Sequence, residues 1–261
     1  MSNEYVTGLF GLEGHVALVA GASSGIGAAF AMALAKAGAD VVVGARRLER
    51  VEALGEEIRA VTGQKVLAVA LDVTSGESVK AAFDAAEAEL GTPTVVCNNA
   101  GIGVPKWALE DTEEDWDRTM DTNLKGMWRV GTEAARRMMA AAKGGSIINT
   151  ASILGLGADR KQLTYATSKA AVVQMTRVMA LEWQRSGIRV NSLCPGFFST
   201  EINDFYLESE AGQQMLKGTP ARRAGELEEL VPPLLMLASP ASSFTTGVAL
   251  PVDGAHSVRI Q

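Results

Sequence analysis

Two kinds of apolar pattern alternate along the 261-residue chain. Short apolar runs at His15–Ala20, Asp40–Gly44, Val66–Leu71, Thr94–Cys97, Ser146–Thr150, Ile188–Leu193 and Val248–Val252 have the length of strands. Stretches of helical periodicity fill the gaps. In the first of these, Ile26, Phe30, Ala33, Leu34 and Ala37 form one stripe suited to packing on a sheet, and Gly38 stands where such a helix ends. The alternation implies parallel strands, because parallel neighbours need a crossover between them. The expected fold class is therefore α/β: one doubly wound parallel sheet of about seven strands with helices on both faces. No linker, repeat or low-complexity tract divides the chain, so residues 1–261 are expected to form a single domain. The segment 201–218 is more polar, yet carries Phe205, Tyr206, Met215 and Leu216 at helical spacing. A substrate flap and an ordinary surface excursion both fit it.

Composition narrows the chemistry. With 47% hydrophobic and 21% charged residues the chain can bury a sizeable core. A net charge of −6 without a basic run speaks against nucleic acid and for a small molecule. The only histidines, His15 and His256, lie near opposite ends, which leaves little material for a metal site or a serine–histidine triad. Cys97 and Cys194 sit in separate apolar runs and read as core thiols in a reducing compartment. No stretch has signal-peptide or membrane-span character, so a cytoplasmic protein with no membrane partner is expected.

Directly after the first strand runs Gly21-Ala22-Ser23-Ser24-Gly25-Ile26-Gly27, leading into the first helix. Glycines there let the backbone turn tightly and approach a pyrophosphate, which the helix N-terminus stabilises; a tight turn without a ligand is the plainer alternative. Asp72-Val73 and Asn98-Asn99-Ala100-Gly101 lie at the carboxyl ends of the third and fourth strands, where ligands collect in open α/β sheets. With its G-x-x-x-G-I-G spacing and these strand-end motifs, the sequence resembles the classical short-chain dehydrogenase/reductase family over essentially its whole length. That resemblance implies a Rossmann-like fold, a nicotinamide cofactor and oxidoreductase activity. One departure from the family pattern is Ala20, where the glycine motif usually begins with Thr, so a hydroxyl that helps fix the turn is missing.

The second strand ends in Val43-Gly44-Ala45-Arg46-Arg47. A carboxylate there would accept from the ribose 2′-hydroxyl of NAD, whereas a 2′-phosphate wants a guanidinium. Ala45 stands where NAD-preferring members usually carry Asp, and Arg46 and Arg47 follow, with Ser23 able to add a hydroxyl. The expected cofactor is NADP(H), although two arginines can also simply open a solvated helix.

Tyr165 and Lys169 are four apart, hence neighbours on one helix face. A tyrosine titrates near ~10 and needs a nearby cation to work as an acid/base at neutral pH, which Lys169 would supply. Alone this spacing is weak. The family resemblance adds Ser152, thirteen residues earlier, as the hydroxyl that holds a substrate carbonyl, and Asn123 as the residue sustaining a water relay to the lysine. It also implies that Lys169 bonds the nicotinamide ribose and that Pro195, Gly196 and Thr200 line the nicotinamide. The implied reaction interconverts a ketone and a secondary alcohol.

Ile102, Trp107, Leu154, Phe197, Phe198, Phe205 and Tyr206 are the candidate pocket residues and suggest a substrate with an apolar portion, though any could be core. Arg160 and Lys161 could meet an anionic group. Arg136 and Arg137 fall where the similar 3-oxoacyl-carrier-protein reductases dock an acidic carrier, so thioester reduction is an alternative, as are sugar or polyol oxidation and a silent NADP(H)-binding sensor. The helix from Tyr165 to Arg185 is apolar on more than one side, which predicts a subunit contact, and the family resemblance, whose members commonly form tetramers through such helices, implies a homotetramer or dimer.

Overall fold

The computed structural model describes residues 2–200 and 204–258. The strands are β1 (Val16–Ala20), β2 (Asp40–Ala45), β3 (Val66–Ala70), β4 (Val95–Asn98), β5 (Gly145–Thr150), β6 (Ile188–Pro195) and β7 (Ala249–Val252). All pair in parallel, in the order β3-β2-β1-β4-β5-β6-β7. Each predicted strand is present, with ends moved by one or two residues. His15 lies just outside β1, its ring bonded to the Thr94 hydroxyl at 2.8 Å.

The strands read as continuous apolar runs because both faces are covered. On one face Ala17, Val19, Val41, Val43 and Ile148 pack against α2 (Gly25–Lys36), α3 (Leu48–Thr62) and α10 (Val231–Ala238). On the other, Val16, Leu18, Val42, Val96 and Ile147 meet α4 (Gly76–Glu89), α6 (Gly126–Ala140) and α7 (Leu163–Trp183). The alternation along β1 follows from the two-residue period of a strand. In α2 the predicted stripe is the packed one, with Phe30, Ala33 and Leu34 buried, and Gly38 follows the cap at a φ of 103°.

Several elements had no signal in the apolar pattern. An N-terminal helix α1 (Ser2–Phe10) leaves Tyr5 and Val6 exposed. Between α5 (Glu113–Met120) and α6 the backbone widens into a π-helical turn, Asp121–Lys125, around the fully buried Asn123. Two short helices, α8 (Asp204–Glu208) and α9 (Glu210–Lys217), occupy most of the segment read as flap or excursion. Residues 201–203 and the Tyr206 side chain lie outside the description.

Candidate active site

A cleft of about 830 Å³ opens across the carboxyl ends of the strands, beside β1 and β4, where the order of connection reverses. At one end is the glycine loop. A Cβ on Gly21 would come within 2.7 Å of the Ala100 backbone, and Gly21 and Gly25 have φ values of 87° and 55° that L side chains rarely adopt. The turn lacks the threonine hydroxyl but is held by backbone: the Gly21 and Ala22 amides donate to the Gly44 carbonyl at 2.8 and 3.1 Å. Asn99 adds a bond from its Nδ2 to the Gly21 carbonyl, 3.0 Å. Ser24 caps α2 without a side-chain capping bond and lines the cleft.

Arg46 and Arg47 both line this end, but Arg47 rather than Arg46 reaches the loop, its guanidinium donating to Ser23 Oγ at 2.9 Å. Asp72 and Val73 line the adjoining wall, the Asp72 carboxylate accepting from the amide and hydroxyl of Thr74 at 2.9 and 2.7 Å. Asn99, Ala100, Gly101, Pro195, Gly196 and Thr200 line the cleft too. Of the predicted cofactor residues, Gly27 alone does not face the cleft. It packs beneath the Gly21 carbonyl, where any Cβ would collide, so its smallness serves the closeness of loop and helix.

At the other end Ser152, Tyr165 and Lys169 come together. Ser152 follows β5, its Oγ accepting from the Leu154 amide at 3.1 Å. Lys169 is buried on α7; its Nζ donates to the Thr150 carbonyl at 2.7 Å and lies 5.6 Å from the centre of the Tyr165 ring. Burial lowers the Lys169 ammonium to about 8. Burial also raises the Tyr165 phenol, opposed by its hydrogen bond with Ser152. The acidifying contact on Tyr165 here is thus Ser152, and Lys169 is a cation that neutral-to-alkaline pH can discharge.

Asn123 stands behind this group, outside the cleft lining. Its Oδ1 accepts from the Ile102 amide and its Nδ2 donates to the Ile102 carbonyl, each at 2.8 Å; the Nδ2 also donates to Ser168 Oγ at 3.1 Å. The carboxamide therefore ties the segment after β4 to α7, a clamp the sequence motif did not disclose. Gly103, Thr122 and Thr150 line the cleft as well and had no separate sequence signal. Thr150 Oγ1 is buried without a partner.

The apolar pocket is smaller than expected. Ile102 lines the cleft, whereas Phe197 and Phe198 turn into a separate cavity of about 90 Å³, Phe197 stacked on His256 at 5.4 Å. Leu154 is not among the lining residues, Trp107 lies beneath the Lys161 ammonium at 5.0 Å, and Phe205 is 90% exposed. Of the two arginines considered for a carrier, Arg137 is engaged by Asp84, Glu87 and Glu133 at 2.6–2.8 Å, while Arg136 is largely exposed and leans on Glu133 at 3.4 Å. Among the described residues no His, Cys, Asp and Glu side chains gather into a group that could hold a metal ion.

A family model described as Enoyl-(Acyl carrier protein) reductase matches residues 21–256. The chain is 36% identical to 2-dehydro-3-deoxy-D-gluconate 5-dehydrogenase of Escherichia coli (strain K12), covering 96% of this chain and 98% of that protein. It is 37% identical to the 3-oxoacyl-[acyl-carrier-protein] reductase of Thermotoga maritima, over 93% and 98% of the two chains. Among solved structures, gluconate 5-dehydrogenase from Burkholderia cenocepacia J2315, in complex with NADP and tartrate, superposes with a TM-score of 0.93 at 36% identity, covering 98% of this chain and all of that one.

Proposed function

Since this chain belongs to the short-chain dehydrogenase/reductase family, an oxidoreductase family, we propose that it interconverts a ketone and a secondary alcohol with NADP(H), using Tyr165 as the acid/base. The observation that carries this reading is one cleft with the Arg47–Ser23 pair at one end and the Ser152–Tyr165–Lys169 group at the other. The cradle suits a dinucleotide: Gly21 and Gly25 hold φ values that L side chains rarely adopt, the start of α2 lines the cleft, and Arg46 and Arg47 line the same end, a pair of guanidiniums suited to a 2′-phosphate. NADP bound to the Burkholderia neighbour supports the choice. When bound, the cofactor supplies or accepts the hydride.

The chain's own residues handle the rest. Ser152 orients the substrate oxygen beside the Tyr165 hydroxyl. In reduction Tyr165 donates its proton to that oxygen, and in oxidation it takes the proton back. Lys169 holds positive charge near the phenol and is the residue for the nicotinamide ribose, while Asn123 keeps the neighbouring segment in place. NADPH oxidation with a panel of ketosugar acids, aryl ketones, 3-oxoacyl thioesters and steroids tests this; turnover of no member leaves the silent sensor.

A polar, anionic substrate is the better choice within that class. Arg160 and Lys161 are exposed in the segment that leads into Tyr165, the Lys161 carbonyl accepting from the Lys106 amide at 3.0 Å, and two relatives are named for gluconate-type acids. The engaged Arg137 weighs against an acidic carrier protein.

Four further readings belong to the same proposal. Residues 1–261 act as one domain, and for 201–218 the exposed Phe205, with Leu207 and Leu216 anchoring α8 and α9, supports a surface excursion over a flap. A homotetramer or dimer would cover Val178 and the 82% exposed Leu181 on α7 together with Trp116 and Trp128; Leu181→Glu should lower the mass seen by light scattering. Two buried free thiols fit a reducing compartment, the cytoplasm, and no described helix is long and apolar enough to cross a membrane.

A further inference from the structure

We propose that Gly103 is a positioning residue for Tyr165, and that the backbone of residues 101–103 is the wall that sets the depth of the phenol ring; this rests on the acid/base reading above. The wall touches three of the four predicted catalytic residues. A Cβ on Gly101 would lie 3.4 Å from both Asn123 Oδ1 and Lys169 Nζ. Ile102 is bound through both its amide and its carbonyl to Asn123. A Cβ on Gly103 would lie 2.9 Å from Tyr165 Cδ2 and 3.4 Å from Cε2 and Cγ, inside the contact distance of two carbons.

The wall is anchored through Ile102. Asn123 holds it on one side and bonds Ser168 on the other, and Ser168 Oγ donates to the Tyr165 carbonyl at 2.7 Å. Segment, π-helical turn and the first turns of α7 thus form one hydrogen-bonded unit. Nor is glycine demanded by the local backbone, since Gly103 is absent from the positive-φ residues. The need is for space against the ring. A methyl group there would press on Tyr165 Cδ2 and displace the ring from the wall, and with it the hydroxyl that bonds Ser152.

Gly103→Ala is expected to reduce kcat about 10- to 100-fold, the effect of a reacting group misplaced by up to about 1 Å, with KM for NADPH within about twofold. Gly8→Ala, where a Cβ meets nothing within 4 Å, serves as the control. The readout independent of turnover is the ultraviolet titration of the Tyr165 phenol, taken as the difference from Tyr165→Phe in each background. It should move to higher pH in Gly103→Ala as the Ser152 bond weakens. The groups facing the ring are Ser152 after β5 and Lys169 on α7, with Cys194 of β6 beside Lys169, and residues 101–103 add no ionisable side chain. Unchanged kcat, or a lowered kcat with an unmoved titration, overturns the proposal. Should Gly103→Ala fail to fold, Tyr165→Ala in the same chain should restore folding, and failure to do so equally overturns it. A wild-type protein that reduces no ketone would remove the acid/base reading while the titration and the double substitution still judge Gly103.

Discussion

The two ends of the cleft are built by different means. At the β1–β2 end, strand ends and a glycine loop present backbone, and the few side chains that matter, Ser23, Ser24 and Arg47, stand within a residue or two of a strand or helix terminus. Next to Gly103 and Tyr165 at the other end, longer connections are tied to one another: the Lys106 amide to the Lys161 carbonyl, Lys106 to Asp115, and Thr164 Oγ1 donating to Asp111 at 2.7 Å. Lys161 holds a φ of 62°, a conformation that a non-glycine residue keeps only when its surroundings impose it. The contrast shows how one scaffold can keep a single cofactor and vary its substrate: the first end depends on local backbone geometry, the second on how loops happen to meet.

The largest expected effect tests whether the two ends work as one site. Tyr165→Phe should lower turnover by about 10²- to 10⁴-fold, the range of a general acid/base, while NADPH affinity measured by fluorescence titration stays within about twofold. A parallel loss of affinity would mean that the ends are not separable. Arg47→Ala should act the other way, raising KM for NADPH about 10- to 100-fold, equivalent to about 1.5–3 kcal/mol for charge-assisted bonds, with NADH kinetics unchanged.

A pH profile sharpens the contrast further. The buried Lys169 is charged below about 8 and neutral above, so ketone reduction should decline as pH rises through that value. Tyr165, raised by burial, still carries its proton across this range. Lys169→Arg keeps the cation and should move the decline to higher pH; a profile that does not shift would take the ammonium out of the reaction. The smallest effect belongs to 201–218: Phe205→Ser, at a 90% exposed position, should alter kcat/KM by less than about twofold. A tenfold change would make 201–218 a cover for the substrate after all.

Much of this molecule was legible along the chain. Strand runs, the stripe of α2 and the glycine loop depend on short-range spacing, so all appeared where expected. Tyr165 and Lys169 are one helical turn apart and needed only that geometry to be paired. Ser152 and Asn123 were reached through family resemblance, because nothing local distinguishes a strand-end serine or a buried asparagine from a turn residue. The apolar pocket misled for the same reason: Phe197 and Phe198 follow Pro195 and Gly196 in sequence, but the direction of their rings depends on His256 and Gly225, which lie far away along the chain.

By itself, then, the sequence determined what rests on local periodicity and on backbone freedom: the parallel sheet, the cofactor loop, and the pairing of Tyr165 with Lys169. The tertiary structure alone decided what depends on distant groups meeting. It assigned Arg47 to Ser23, made Asn123 the clamp of residues 101–103, put Gly103 against the ring of Tyr165, and buried Lys169 deeply enough to weaken its hold on a proton. Contacts and desolvation of this kind arise from packing between elements many residues apart, and no spacing within one element encodes them.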